Sequence, residues 1–199
     1  MLFRSEGMTT YFGDLAVVRS GVATQADWLV WMSTHIRQLQ TGKGRSLQTL
    51  EQASLQVWDT SMSGVGGNPD KTVNYYVKGP CVGFVLDAAI RRATDGKRSF
   101  DDVMRLGLSR WAQAQGYTHD QFLAAIAEVG GAELAPLVQQ LVRSTEEIDW
   151  QPTLDWFGLE FGRSAEGAPD WRLQLRADAP EAARAHLAAL LAPTPARSH

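Results

Sequence analysis

The stretch Phe3-Arg4-Ser5-Glu6-Gly7-Met8-Thr9-Thr10-Tyr11-Phe12-Gly13-Asp14-Leu15-Ala16-Val17-Val18-Arg19 decides how the rest of the chain is read. Met8, Tyr11, Phe12, Leu15 and Val18 recur at helical spacing, which predicts a helix from about Ser5 to Arg19 with a wide apolar face and Glu6 in its first turn. A carboxylate so placed is partly buried, and burial is costly unless a cation or hydrogen-bond donors meet it. Glu6 therefore requires a partner. Gly7, Thr9 and Thr10 keep the flank beside it small, leaving room for another helix or an ion.

The remainder reads as further helices. Thr24-Gln25-Ala26-Asp27 approximates a capping box, and Trp28, Met32, Ile36 and Leu39 form a stripe that ends at Gly42-Lys43-Gly44. A third helix is predicted from about Leu47 to Trp58, followed by a loop from Ser61 to Lys71 dense in Gly, Asn and Pro. Val73 to Gly79 then leads into the most apolar helix, through Cys81, Phe84, Val85, Leu86 and Ile90, with Pro80 at its first position. Ser99, Thr118 and Glu133 open three more helices, reaching about Gln115, Gly130 and Arg143. A short helix near Pro152 to Phe157 closes the helical body. Leu159 to Phe161 and Trp171 to Leu175 alternate as short strands, Pro180 to Leu191 is an alanine-rich amphipathic helix, and Pro193 to His199 is a frayed tail.

At 199 residues the chain is long enough for one domain with a small appendage, and a hydrophobic fraction of 44% with 21% charged residues is that of a globular protein. A net charge of -3 argues against a nucleic-acid surface or an anionic membrane surface. No run approaches the roughly 20 apolar residues of a transmembrane helix, and residues 1–20 do not read as a signal peptide. The single cysteine, Cys81, sits in an apolar run and reads as a small hydrophobe. His35, His119, His186 and His199 are scattered, and none has a second histidine at metal-ligand spacing.

Ser5-Glu6-Gly7-x-Thr9-x-Tyr11-Phe12 resembles the segment that supplies the third zinc ligand in gluzincin metallopeptidases, in particular the glycyl aminopeptidase family. Tyr76-x-Lys78-Gly79 before an apolar helix is similar to the same family and to the wider aminopeptidase group. Ser99 to Arg105, Gly116 to Thr118 with Phe122, and Arg143 to Glu147 follow in the family's order. The resemblance runs from about Leu2 to Leu159, although family members usually carry a residue other than proline at the position of Pro80.

What the resemblance implies is specific. Glu6 is the metal-ligand carboxylate and Tyr76 the catalytic tyrosine whose hydroxyl donates to the oxyanion of a tetrahedral intermediate; it implies no other cofactor-binding residue. The implied fold is mainly α, a helical bundle like the C-terminal helical subdomain of thermolysin-like aminopeptidases, with a short β/α appendage. Residues 1–159 would form the helical part of a catalytic domain. Residues 160–192 would be a strand-turn-helix appendage where relatives continue into a PDZ domain, a possible PDZ remnant, and residues 193–199 a disordered tail. The complete enzyme would hold Zn2+ through an added H-E-x-x-H histidine pair and release small N-terminal residues such as Gly or Ala from a peptide substrate. This chain contains no H-E-x-x-H, so by itself it is expected to bind no zinc and to be inactive, with a missing N-terminal segment or self-association as its partner. The other reading is a non-catalytic helical module, derived from the peptidase scaffold, that serves interaction or regulation.

Overall fold

The computed structural model describes residues 6–57, 68–112 and 116–193. Its order is α1 (Met8–Arg19), α2 (Gln25–Thr41), α3 (Leu50–Gln56), α4 (Tyr75–Ala93), α5 (Phe100–Trp111), α6 (His119–Gly130), α7 (Ala135–Arg143), α8 (Gln151–Phe157), β1 (Leu159–Arg163), β2 (Pro169–Leu175) and α9 (Glu181–Leu191). The fold is mainly helical with one small antiparallel hairpin, as the sequence predicts.

α4 is the centre. Every residue from Lys78 to Arg91 is buried, and a helix apolar on all sides can only be an interior one. It packs against α1, α2, α3, α5, α6, α7 and α8. Phe84, midway along it, meets Trp28 of α2 edge-on at 5.3 Å and stacks on Phe157 of α8 at 5.5 Å. Each such ring contributes about 1.5–3 kcal/mol by burial alone.

The start of α4 corrects the sequence reading. Pro80 lies inside the helix, and the N-cap is Asn74, whose side-chain oxygen accepts from the Tyr76 amide at 2.8 Å. Tyr75 and Tyr76 therefore belong to the first helical turn and not to an extended lead-in. Pro80 has no amide to give the Tyr76 carbonyl, so one rung of the helix ladder is missing there.

α1 also begins later than expected. Glu6 and Gly7 form a π-type turn before Met8, and Thr10 Oγ1 returns a hydrogen bond to the Glu6 carbonyl at 3.2 Å. Met8, Tyr11, Leu15 and Val18 are buried against the chain's own core. Thr9, Gly13, Ala16 and Val17 face outward. α2 carries the expected capping box between Thr24 and Asp27. α3 is shorter than predicted, because Thr49 and Gln52 form a capping box that starts it at Leu50 and leaves Leu47 outside, 65% exposed. Trp58, residues 61–67 of the expected loop, Gln115 and residues 194–199 of the expected tail lie outside the described residues.

β1 and β2 pair Leu159 with Leu175 and Phe161 with Leu173, with a register shift between Phe161 and Arg163. The hairpin lies on α2, where Ser33 Oγ accepts from the Leu173 amide at 2.8 Å. α9 packs on α8 and α1, and Arg19 donates to the Leu190 carbonyl through Nε at 3.0 Å and Nη2 at 2.9 Å.

α1 and α4 approach each other closely at a pair of glycines. A Cβ on Gly79 would stand 2.5 Å from Gly7 Cα, and one on Gly7 would stand 2.7 Å from the Tyr75 carbonyl oxygen. Both neighbours are backbone, so neither can turn away as a side chain could. Gly79→Ala is expected to destabilise the fold by about 1–3 kcal/mol, the usual range for overpacking. Gly13→Ala on the open face of α1, with nothing within 4 Å, is expected to gain about 0.5–1 kcal/mol from helix propensity. Urea denaturation of both variants checks the pair, and equal effects would contradict the close approach.

Candidate functional site

Two residues 70 positions apart meet at the N-terminal ends of α1 and α4: the Tyr76 hydroxyl donates to Glu6 Oε2. Glu6 and Tyr76 are both half-buried. Their meeting follows from the crossing just described, since the absent side chains of Gly7 and Gly79 let the two backbones approach until the residue before Gly7 reaches the first turn of α4. The donor that the partly buried carboxylate requires is therefore a phenol. Tyr75 turns into the core at 3% exposure, its ring 4.6 Å from that of Tyr76. Burial, then the charge of Glu6, pushes the Tyr75 phenol above its ordinary range.

Beneath this pair a second buried carboxylate sets the register of the helices. Asp87 is 0% exposed and receives three donors: Tyr11 Oη at 2.9 Å on Oδ2, with Arg91 Nε at 2.9 Å and the Phe100 amide at 3.0 Å on Oδ1. It ties α1, α4 and the start of α5 to one another. Tyr11 is pushed well above the ordinary phenol range by burial first and by the Asp87 charge second. Gly83 makes room for the Tyr11 ring, which a Cβ there would meet at 2.8 Å.

The sequence reading passed over Asp87, although a lone aspartate in the most apolar helix is itself the signal of a buried network. It also missed the pattern that puts these groups in line: Gly79, Gly83, Asp87 and Arg91 repeat every fourth residue on α4 as Gly7, Tyr11, Leu15 and Arg19 do on α1. Such rows face each other when two helices lie side by side.

Of the remaining candidates, Cys81 is fully buried and its thiol is pushed far up by desolvation, so it is inert. His35 Nε2 lies 3.4 Å from Asp14 Oδ2. His186 stacks on Trp156 with ring centroids 3.6 Å apart and bonds its carbonyl through Nδ1 at 3.0 Å. No group of three or more His, Cys, Asp or Glu residues able to hold a metal occurs among the described residues. Glu6 brings one carboxylate, one of whose oxygens is engaged by Tyr76. Zinc needs about four donors. The described residues of this chain by themselves therefore do not fit a zinc ion.

Residues 1–82 match the profile of the M61 glycyl aminopeptidase family. That stretch is similar to M61 peptidases. It contains Glu6, Gly7, Tyr76 and Gly79. A crystal structure described as an aminopeptidase N family protein from Idiomarina loihiensis superposes with a TM-score of 0.76 at 22% identity, over 82% of this chain and 28% of that one. At that identity the likeness is one of fold, and this chain spans about a quarter of that protein's length. Among curated proteins none matches the chain. No helix among the described residues is long and apolar enough to cross a membrane.

Lys78, two residues past Tyr76, is 3% exposed. Burial lowers its pKa, with the nearby Glu147 carboxylate acting the other way. Between that lowered value and the ordinary 10.5, the unfolded chain holds a proton that the folded chain has released. Stability therefore rises with pH across this window, and below it the desolvation penalty is present in full. Lys78→Met is expected to be more stable than the parent at pH 7, on the order of 1 kcal/mol, with the difference shrinking as the pH approaches the upper end of the window. Paired urea melts at pH 7 and pH 10 check this. A variant less stable at pH 7 would mean that the ammonium is held by more than it loses in desolvation.

Proposed function

We propose that this chain is the helical C-terminal part of a zinc aminopeptidase catalytic domain of the M61 kind, which in the complete enzyme releases small N-terminal residues such as Gly or Ala. The observation that carries the reading is the contact between Glu6 and Tyr76, two polar side chains brought together from separate helices. Both lie inside the stretch similar to M61 peptidases. In this reading Glu6 contributes a carboxylate to a metal site whose other donors lie outside this chain. Tyr76 turns its hydroxyl from Glu6 to the substrate oxygen on which charge develops. A phenol suits that task because it is a neutral donor held on a rigid helix turn, and its hydrogen bond strengthens as the charge grows.

Among the described residues no group able to supply the remaining donors is present, and in this reading the chain alone turns over no peptide. A second reading has its own support. Glu6 and Tyr76 satisfy each other, and the apolar face of α1 is buried within the chain. A stand-alone helical module for interaction would look the same, using the outward Thr9, Gly13, Ala16 and Val17 face for a partner or a second copy.

Tyr76→Phe separates the two. In the isolated chain it is expected to change stability by about 0.5–1.5 kcal/mol, the value of one hydrogen bond. In a protein completed with an H-E-x-x-H segment it is expected to lower kcat on glycyl or alanyl amides by roughly 10²-fold to 10³-fold, with KM little changed. Full turnover by the completed Tyr76→Phe variant would remove the catalytic role of Tyr76. Stoichiometric zinc after dialysis together with amide turnover by the chain alone would overturn the division of labour between this chain and the missing donors.

A further inference from the structure

We propose that a cleft at the C-terminal ends of α1 and α4, remote from Glu6 and Tyr76, binds a phosphate group. Arg91 lies 15 positions beyond Tyr76 on α4, or roughly 22 Å at the rise of an α-helix. The cleft has a volume of about 380 Å³. Arg19, Arg91, Lys97, Arg98 and Arg105 line it together with the carboxylates of Asp101 and Asp102, and Asp87 stands behind Arg91. The five cations outnumber these three carboxylates even with the partial negative charges of the α1 and α4 C-termini, about half a charge each, and a concave surface with an excess of cations draws an anion.

The carboxylates leave the cations room to act. Asp101 is engaged by Arg19 in a two-pronged pair at 2.7 and 3.0 Å. Asp102 accepts from the Ser99 amide at 3.0 Å and from Arg105 at 3.2 Å, with Arg98 further off at 3.7 Å. Arg98 and Arg105 are 50% and 43% exposed and held by single-pronged contacts, so each keeps donors for a ligand. Lys97 is exposed beside them.

Arg91 is what distinguishes this cleft from a surface patch of basic residues. It is 7% exposed, yet it lines the cleft. Its Nε is fixed by Asp87, and its two terminal amino nitrogens meet no acceptor among the described residues. Neither nitrogen is a buried unpaired atom, so both are open to solvent on a residue that lines the cleft. Two parallel N–H groups held rigid at the base of a cleft match two oxygens of a phosphate. The rim is equally fixed: the turn through Asp95 and Gly96, both left-handed at φ 52° and 73°, is closed by the Gly96 amide on the Arg91 carbonyl at 2.7 Å. Thr94 Oγ1 then accepts from the Arg98 amide at 3.0 Å, which sets Lys97 and Arg98 over the opening.

Inorganic phosphate and phenyl phosphate, titrated separately into the chain at constant ionic strength against a chloride control, test this by calorimetry. One saturable site is expected. Arg98→Ala and Arg105→Ala, both on the exposed rim, are each expected to weaken it about tenfold or more, the value of one charged hydrogen bond. Arg91→Lys, which keeps the charge and loses the fork, is expected to weaken it further, with a thermal melt to establish that it folds; if it does not, the two rim variants decide. Equal affinity for both probes would identify free phosphate as sufficient, and a preference for phenyl phosphate would identify a phosphomonoester. Heats equal to the chloride control for both probes would overturn the proposal. So would binding that both rim variants leave unchanged.

Discussion

Two glycines hold the arrangement together. Gly7 and Gly79 bring the backbones of α1 and α4 so near that a methyl group on either would collide with the other chain segment. Dispersion falls steeply with separation, so contact at this range binds the helices firmly where they touch. Everything at that end of the molecule depends on it. Were the helices a side chain further apart, Glu6 would be a partly buried carboxylate with no donor, and Tyr76 would lose the acceptor that orients its hydroxyl.

A close contact fixes distance at one point, but two helices can still slide or splay. The Asp87 network removes that freedom. Its carboxylate takes donors from three elements, and breaking any of them strands a buried polar atom. The site end of the helix pair is thus set by shape and the middle by polar satisfaction. The two are linked by the Tyr11 ring, which needs the space over Gly83 to reach Asp87.

How far the sequence could be read follows from the range of each interaction. α2, α5 and α6 were legible because a capping box and an apolar stripe are local signals, complete within a dozen residues. α4 began elsewhere than expected because Pro80 suggested a first position, while Asn74 was the actual cap. Leu47 was placed in α3 because it is apolar, although the Thr49 and Gln52 box lies beyond it. Glu6 could be recognised as needing a partner from burial alone. That the partner is Tyr76 depends on a crossing between elements 70 residues apart, which no local pattern encodes. The matching four-residue rows on α1 and α4 were the nearest thing to a signal for it.

The crossing also makes α1 and α4 run in the same direction, since Gly7 faces Gly79 and Tyr11 faces Gly83 and Asp87. Parallel neighbours align their peptide dipoles, so two positive helix ends converge where Glu6 sits, and two negative ends converge where α1 closes on Arg19 and α4 on Arg91 and Arg92. Side-by-side dipoles of one sense repel, and a full negative charge at one end with positive charges at the other offsets that repulsion. Glu6 therefore has a purpose in the folded chain that is independent of any metal: it neutralises a positive pole that the glycine contact itself creates.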